Sequence, residues 1–329
     1  MATIKDVARR ACVSIATVSY VLNGTGAVSE HKRQAVLEAA AALNYQPSYR
    51  GRALQARRSM TLAVGLPSGM YTDARFGSLL GGLAEGAARS GFHILLVTAS
   101  AGRGETDAAI DLYRAGQIDG MVLLDVRVED ERITQLKATN TPYVCAGQTH
   151  DDSAYVAIDG VAGMLEAMAH VIVRGHEHIA LLQPSLEHTL AEEQETGYRE
   201  ALAEAGLPFE PELVIEGGQS EEQGYVATQE LLALPDPATA IVAGTAALAF
   251  GALHAIHDAH IVVGRHVVLV SFEDTPAAAH TAPPLTAVRQ PVRSWGEHLA
   301  RSLIVKLNSG ERTRTVLQPQ LIVRHSCGE

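Results

Sequence analysis

From Thr61 onward, short apolar runs without polar interruption alternate with stretches whose apolar positions recur every three or four residues. The runs read "TLAVGLP", "FHILLVTAS", "DGMVLL", "PYVCAG", "YVAID", "HIALLQ", "ELVIEG", "ATAIVAG" and "HVVLVSF". Helical spacing occupies the intervals, around 76–90, 105–115, 130–138, 160–174, up to 206, 221–233 and up to 257. A strand buried on both faces has no polar alternation, so this order predicts parallel sheets covered by helices on either side. At this length two sheets are expected. "GGLAEG" at 81–86 falls inside a helical pattern, not after a strand, and so is not a phosphate-cradling loop.

The first 45 residues follow another rule. Thr3 and Asp6 form a T-x-x-D helix start, and Ile4, Val7, Ala8 and Ala11 follow at helical spacing. Cys12 and Val13 leave room only for a tight turn. Ser14 can cap a second helix from Ile15 to about Leu22, stopped by "NG", and Ser29 a third through Leu43. Three short helices, the first two joined by a tight turn, predict a helix-turn-helix unit. After Pro47, Ser48 can cap a short helix to about Ala56; with Leu54 its one strong apolar residue, this segment is marginal alone.

Charge sharpens this division. The net charge is −11 over 329 residues. Yet residues 1–60 hold nine Lys/Arg and three Asp/Glu, leaving 17 bases and 34 acids for the rest. A basic arm on an acidic body points to a polyanion held at one end. Three cysteines without C-x-x-C spacing argue against a disulfide framework, and the charged N-terminus against a secretory leader. No run approaches the ~20 apolar residues of a membrane span, so a cytoplasmic location is expected. His254, His257 and His260 lack a completing Cys or carboxylate; no metal site and no cofactor are predicted. No G-x-S-x-G or GK[ST] motif suggests catalysis.

"ATIKDVARRACVSIATVSYVLNG" resembles the N-terminus of the LacI/GalR family of bacterial transcription regulators. "NYQPSYRGRALQARRSMTLAVGLP" resembles that family's hinge and first core strand. "YVAIDGVAGMLEAMAHVIVRGHEHIALL", "TGYREALAEAGLP", "VVLVSFED", "PPLTAVRQPVRSWGEHLA" and "LQPQLIVRHS" follow in the family's order. The resemblance implies an all-α helix-turn-helix headpiece at 1–47, a hinge at 48–60, and an α/β core at 61–329. The core would comprise two Rossmann-like subdomains of periplasmic-binding-protein type. It further implies a homodimer that binds a near-palindromic operator in double-stranded DNA, with affinity modulated by a small sugar-like effector between the subdomains. A solute-binding protein, or a regulator with a silent pocket, is the alternative.

The resemblance places Ile15, Ala16 and Tyr20 at major-groove reading positions. Ile15 and Ala16 offer apolar contact suited to thymine methyls. Ile15 is also open to a second reading, packing inside the headpiece. Thr3, Thr17, Ser19, Asn23, Ser29 and Tyr45 match backbone-contacting positions, although Thr3 and Ser29 also suit helix capping. Arg52 adds attraction to phosphate, and Leu54 matches a minor-groove wedge. The implied effector pocket draws on Ser68, Asp73, Arg75, Asp125, Gln194, Thr245, Glu273 and Gln290. Here the chain departs from the family. Gln194 stands for the usual Arg, Thr245–Ala246 for an Asn-Asp or Ser-Asp pair, and Glu273 for Asp, while Ser271 replaces a Gly. Arg75 replaces an aromatic residue, which points either to an anionic ligand or to an ordinary surface arginine.

Overall fold

The computed structural model describes residues 2–23, 26, 28–45, 58–67, 75–99, 102–216 and 218–328. The chain divides into two compact units, Met1–Ser59 and Met60–Glu329.

The first unit contains helices α1 (Ile4–Arg10), α2 (Ile15–Asn23) and α3 (Glu30–Ala42). The start of α1 is set by Thr3, whose backbone N–H and hydroxyl both donate to the Asp6 carboxylate, at 2.9 and 2.7 Å. At α2, Ser14 Oγ accepts from the Thr17 amide at 3.1 Å. Ser29 occupies the N-cap position of α3, but its hydroxyl makes no capping bond. Val7, Ala8, Val18, Val21, Val36, Ala39 and Ala40 close a small core. The turn from α1 to α2 forces Cys12 to φ 52, the left-handed region that L-residues with a Cβ avoid. The predicted hinge helix lies outside the described residues.

The second unit opens with β1 (Thr61–Leu66), α4 (Phe76–Ala88), β2 (His93–Thr98), α5 (Glu105–Arg114) and β3 (Gly120–Leu123). Next come α6 (Glu131–Ala138), β4 (Tyr143–Ala146), β5 (Tyr155–Ile158), α7 (Gly160–Ile172), β6 (Ile179–Gln183) and α8 (Thr189–Ala205). Then follow β7 (Val214–Glu216), α9 (Glu221–Leu232), β8 (Ala240–Ala243), α10 (Ala246–Asp258) and β9 (Val268–Ser271). Finally come β10 (Thr286–Arg289), α11 (Val292–Ser309), β11 (Arg314–Leu317) and β12 (Gln320–Ile322).

The strands form two six-stranded sheets, ordered β11-β5-β4-β3-β1-β2 and β12-β10-β9-β8-β6-β7. Among the described residues the pairings between these strands are parallel except β10 with β12. Each sheet is the floor of one lobe, with apolar clusters on both faces. In the first lobe Val64, Val122 and Val144 face one cluster while Ala63, Met121 and Cys145 face the other. The chain passes between lobes after β5, after β10 and after β11.

Helix α11 returns to the first lobe and packs along α4. The glycines of "GGLAEG" explain how closely. A Cβ on Gly82 would lie 1.9 Å from the Arg293 carbonyl oxygen, and one on Gly296 would lie 2.3 Å from that of Leu79. No helix here is long and apolar enough to cross a membrane among the described residues.

Candidate functional site

On α2 the core takes Val18 and Val21 and leaves another face outward. Ile15 is 45 % exposed, Tyr20 51 % exposed, and Ala16 is exposed beside them. The reading of Ile15 as an interior packing residue therefore fails. Ile15 stands outside the headpiece core, to which α2 contributes the buried Val18 and Val21. The Tyr20 ring lies over Gly26, where a Cβ would stand 3.2 Å from its Cγ.

Around this uncharged face, Thr17 shares a hydroxyl–hydroxyl bond of 2.9 Å with Ser14, Ser19 is half-buried, and Asn23 ends the helix. Thr3 is exposed with its hydroxyl committed to Asp6, which it helps hold below its ordinary value, while Ser29 is exposed without a cap bond. Tyr45 packs half-buried against the headpiece core. Arg9 and Arg10 are exposed on α1 and Lys32 on α3. Arg52 and Leu54 lie outside the described residues.

In the second unit, a cleft of about 560 Å³ runs between the lobes. That volume suits a small-molecule site, and its walls are the loops beyond the carboxyl ends of parallel strands. Of the sequence-derived residues, Arg75, Asp125, Gln194, Thr245, Glu273 and Gln290 all line it. Ser68 and Asp73 lie outside the described residues. Phe76, Phe250 and Trp295 add aromatic surface.

Several lining groups are locked in place. Arg75 Nη1 sits 2.7 Å from Glu273 Oε1 and donates to Gln290 Oε1 at 2.7 Å. Arg75 is therefore not a bare surface arginine: it is largely buried in the cleft wall and paired with a carboxylate. Glu273 Oε2 accepts from the Ala246 amide at the start of α10, at 3.0 Å, and Ser271 Oγ brackets the Glu273 backbone. Thr245 is the N-cap of that helix and accepts from Leu248 at 3.2 Å. Gln194, 1 % exposed, donates to the Gly244 carbonyl at 3.0 Å, while its Oε1 has no partner among the described residues. Thr275 Oγ1, on a residue 4 % exposed, is in the same condition. Both residues lie in the cleft wall, with these two atoms themselves buried.

Other lining residues were missed from sequence. His188 follows β6 and reaches Asp125, Nδ1 to Oδ1, at 2.9 Å. Burial opposes ionisation of Asp125, but the His188 bond and the charges of His188, Arg132 and Arg127 outweigh it and keep the carboxyl low. Asp125 stands at φ 55, its carbonyl held by Arg132 Nη2 at 2.6 Å. Glu193 accepts from the Gly160 amide at 2.9 Å, and burial pushes its carboxyl up to about 7, with Asp159 and Glu192 adding to the effect. The one usable sequence signal was position: both His188 and Glu193 closely follow the apolar run of β6, on the strand-end side where such folds bind ligands.

Residues 3–48 match the model for bacterial regulatory proteins of the lacI family, and 168–327 match a periplasmic binding protein-like domain. The HTH-type transcriptional regulator AglR of Rhizobium meliloti (strain 1021) is 32 % identical over 335 residues, spanning 99 % of this chain and 94 % of that protein. The chain belongs to the LacI family. It is a DNA-binding transcriptional regulator and not an enzyme. Its fold agrees with two solved LacI-type structures. A complex of the regulator CelR with cellobiose is 30 % identical, with a TM-score of 0.76 over 99 % of this chain and 100 % of that one. The lac repressor dimer bound to operator and the anti-inducer ONPF is 24 % identical, with a TM-score of 0.83 over 100 % and 99 %. Against its LacI-family background, the cleft's departures become structural statements. Gln194 spends its amide on Gly244, and the guanidinium facing Glu273 comes from Arg75.

Proposed function

We propose that this LacI-family chain is a homodimeric repressor whose operator affinity is set by a neutral, sugar-like effector in the inter-lobe cleft. The headpiece at 1–47 would read DNA, 48–60 would serve as hinge, and 61–329 would bind effector and dimerise. The observation that carries the reading is convergence. Six residues chosen from sequence, drawn from both lobes, line one cleft.

The chemistry of that guest follows from the walls. Asp125, Glu193, Glu221 and Glu273 stand against Arg75 and His188 among the described lining residues. With Arg75 already matched by Glu273, an anion would meet surplus negative charge, whereas hydroxyls would find acceptors and aromatic rings. CelR, bound to cellobiose, shows that a related chain takes a disaccharide.

At the DNA end, Ile15, Ala16 and Tyr20 supply the reading face, and Thr3, Thr17, Ser19, Asn23, Ser29, Tyr45 and Arg52 the grip. Leu54 supplies the minor-groove wedge. The exposed Leu95 and Leu96 on edge strand β2 and Val226 on α9 offer apolar surface for a second copy. An effector that binds one lobe arrangement better would change operator affinity by its differential binding, commonly ~1–3 kcal/mol.

The test is a melting scan of the intact chain against neutral mono- and disaccharides, sugar phosphates and sugar acids. Melting points that rise with the logarithm of a neutral sugar's concentration support the proposal. A response confined to the anionic sugars, or to none of the panel, overturns it.

A further inference from the structure

The two lobes are joined by more than their covalent crossovers. Arg75 belongs to the first lobe, at the start of α4, and Glu273 to the second, just after β9. Their 2.7 Å pair therefore spans the cleft, with side chains only 23 % and 10 % exposed. Both ends are anchored. The Ala246 amide holds the second oxygen of Glu273, and Gln290, which accepts from Arg75, lies on the crossover between β10 and α11 and donates to the Phe272 carbonyl at 3.2 Å. A second junction is backbone to backbone. The Val128 amide donates to the Glu187 carbonyl at 2.9 Å, and the Thr189 amide to that of Val126 at 3.3 Å, an antiparallel bridge from one lobe to the other.

We propose that the Arg75–Glu273 pair is a cross-lobe clasp that biases the cleft toward closure, making Arg75 a positioning residue that tunes how strongly a ligand must act to shift the lobes. Opening the cleft separates the pair. The Ala246 amide holds Glu273 to the second lobe while Arg75 moves with the first, so the close charge pair is lost. Any ligand that binds the closed form gains in apparent affinity by the fraction of molecules the clasp already holds closed. This consequence rests on reading the cleft as the effector site; the clasp itself does not.

The experiment is amide hydrogen exchange on the intact, ligand-free chain. Peptides covering Val128 and Thr189 report closure, and peptides from the interiors of β3 and β8 report global stability. Arg75→Met should speed exchange at the two bridge amides on the order of tenfold while leaving β3 and β8 unchanged. Glu273→Gln keeps volume and an acceptor for Ala246 and should act in the same direction, so the idea does not depend on one variant folding. The double variant should add little beyond either single change, because both break one interaction. Unchanged bridge amides in the folded variants would overturn the clasp, as would acceleration spread evenly through both lobes. Faster bridge exchange combined with a flat melting scan would keep the clasp and remove the effector reading.

Discussion

Replacing Glu193 by glutamine asks whether the cleft wall holds a carboxyl against its preference for water. Burial beside the start of α7, reinforced by Asp159 and Glu192, pushes that carboxyl from an ordinary 4.5 to about 7 despite the bond from Gly160. At about 1.4 kcal/mol per pH unit, keeping it ionised in the native state costs about 3 kcal/mol. Part of the side chain reaches solvent, so screening reduces the expected cost to about 1–2 kcal/mol. Below 4.5 the proton is bound in both native and unfolded chains, and nothing is lost. Between 4.5 and about 7 the unfolded carboxyl has ionised while the native one keeps its proton, so stability falls across that interval and levels off above it. The substituted glutamine has the same shape, no charge, and an oxygen that can still accept from Gly160. Wild type and Glu193→Gln should therefore match at acidic pH, and the variant should be more stable by about 1–2 kcal/mol at slightly alkaline pH. Urea unfolding of both proteins across this range reads the difference, with all other titrating groups common to the pair. A difference independent of pH, or a wild-type advantage at high pH, would refute the account of Glu193.

Two further sites probe backbone geometry. Cys12→Gly removes a side chain from the left-handed turn and should stabilise the headpiece by about 0.5–1 kcal/mol after the added chain entropy of Gly; slower amide exchange in α1 and α2 of the intact chain would show it, and unchanged or faster exchange would count against it. Gly82→Ala places a methyl against the Arg293 carbonyl and should cost about 1–3 kcal/mol in thermal melting. Gly77→Ala, on the same helix with nothing within 4 Å of the new Cβ, should instead gain about 0.5–1 kcal/mol; equal effects from the two changes would show that helix packing is not the cause.

The layout of the chain is written in local pattern. Uninterrupted apolar runs such as "HIALLQ" and "ATAIVAG" fit strands buried on both faces, and the helical spacing between them leaves little choice but parallel sheets. The headpiece was legible because Asp6, Ser14 and the apolar periodicity of α1 to α3 are local signals. So was the membership of Arg75, Asp125, Gln194, Thr245, Glu273 and Gln290 in one site, since strand ends in this fold face a common cleft. The last quarter was less legible. Helix α11 mixes charge with apolar residues, and β10 to β12 are short, so neither period stands out.

How those site residues are used emerges only once the lobes are assembled. No local pattern shows that Arg75 finds Glu273 from 198 positions away, that Gln194 turns its amide to Gly244, or that His188 meets Asp125. These pairings depend on where two separately built lobes come together. Charge and hydrogen-bonding capacity are written in the residue, but whether they are free for a ligand or spent within the protein is settled by what the fold places a few ångströms away.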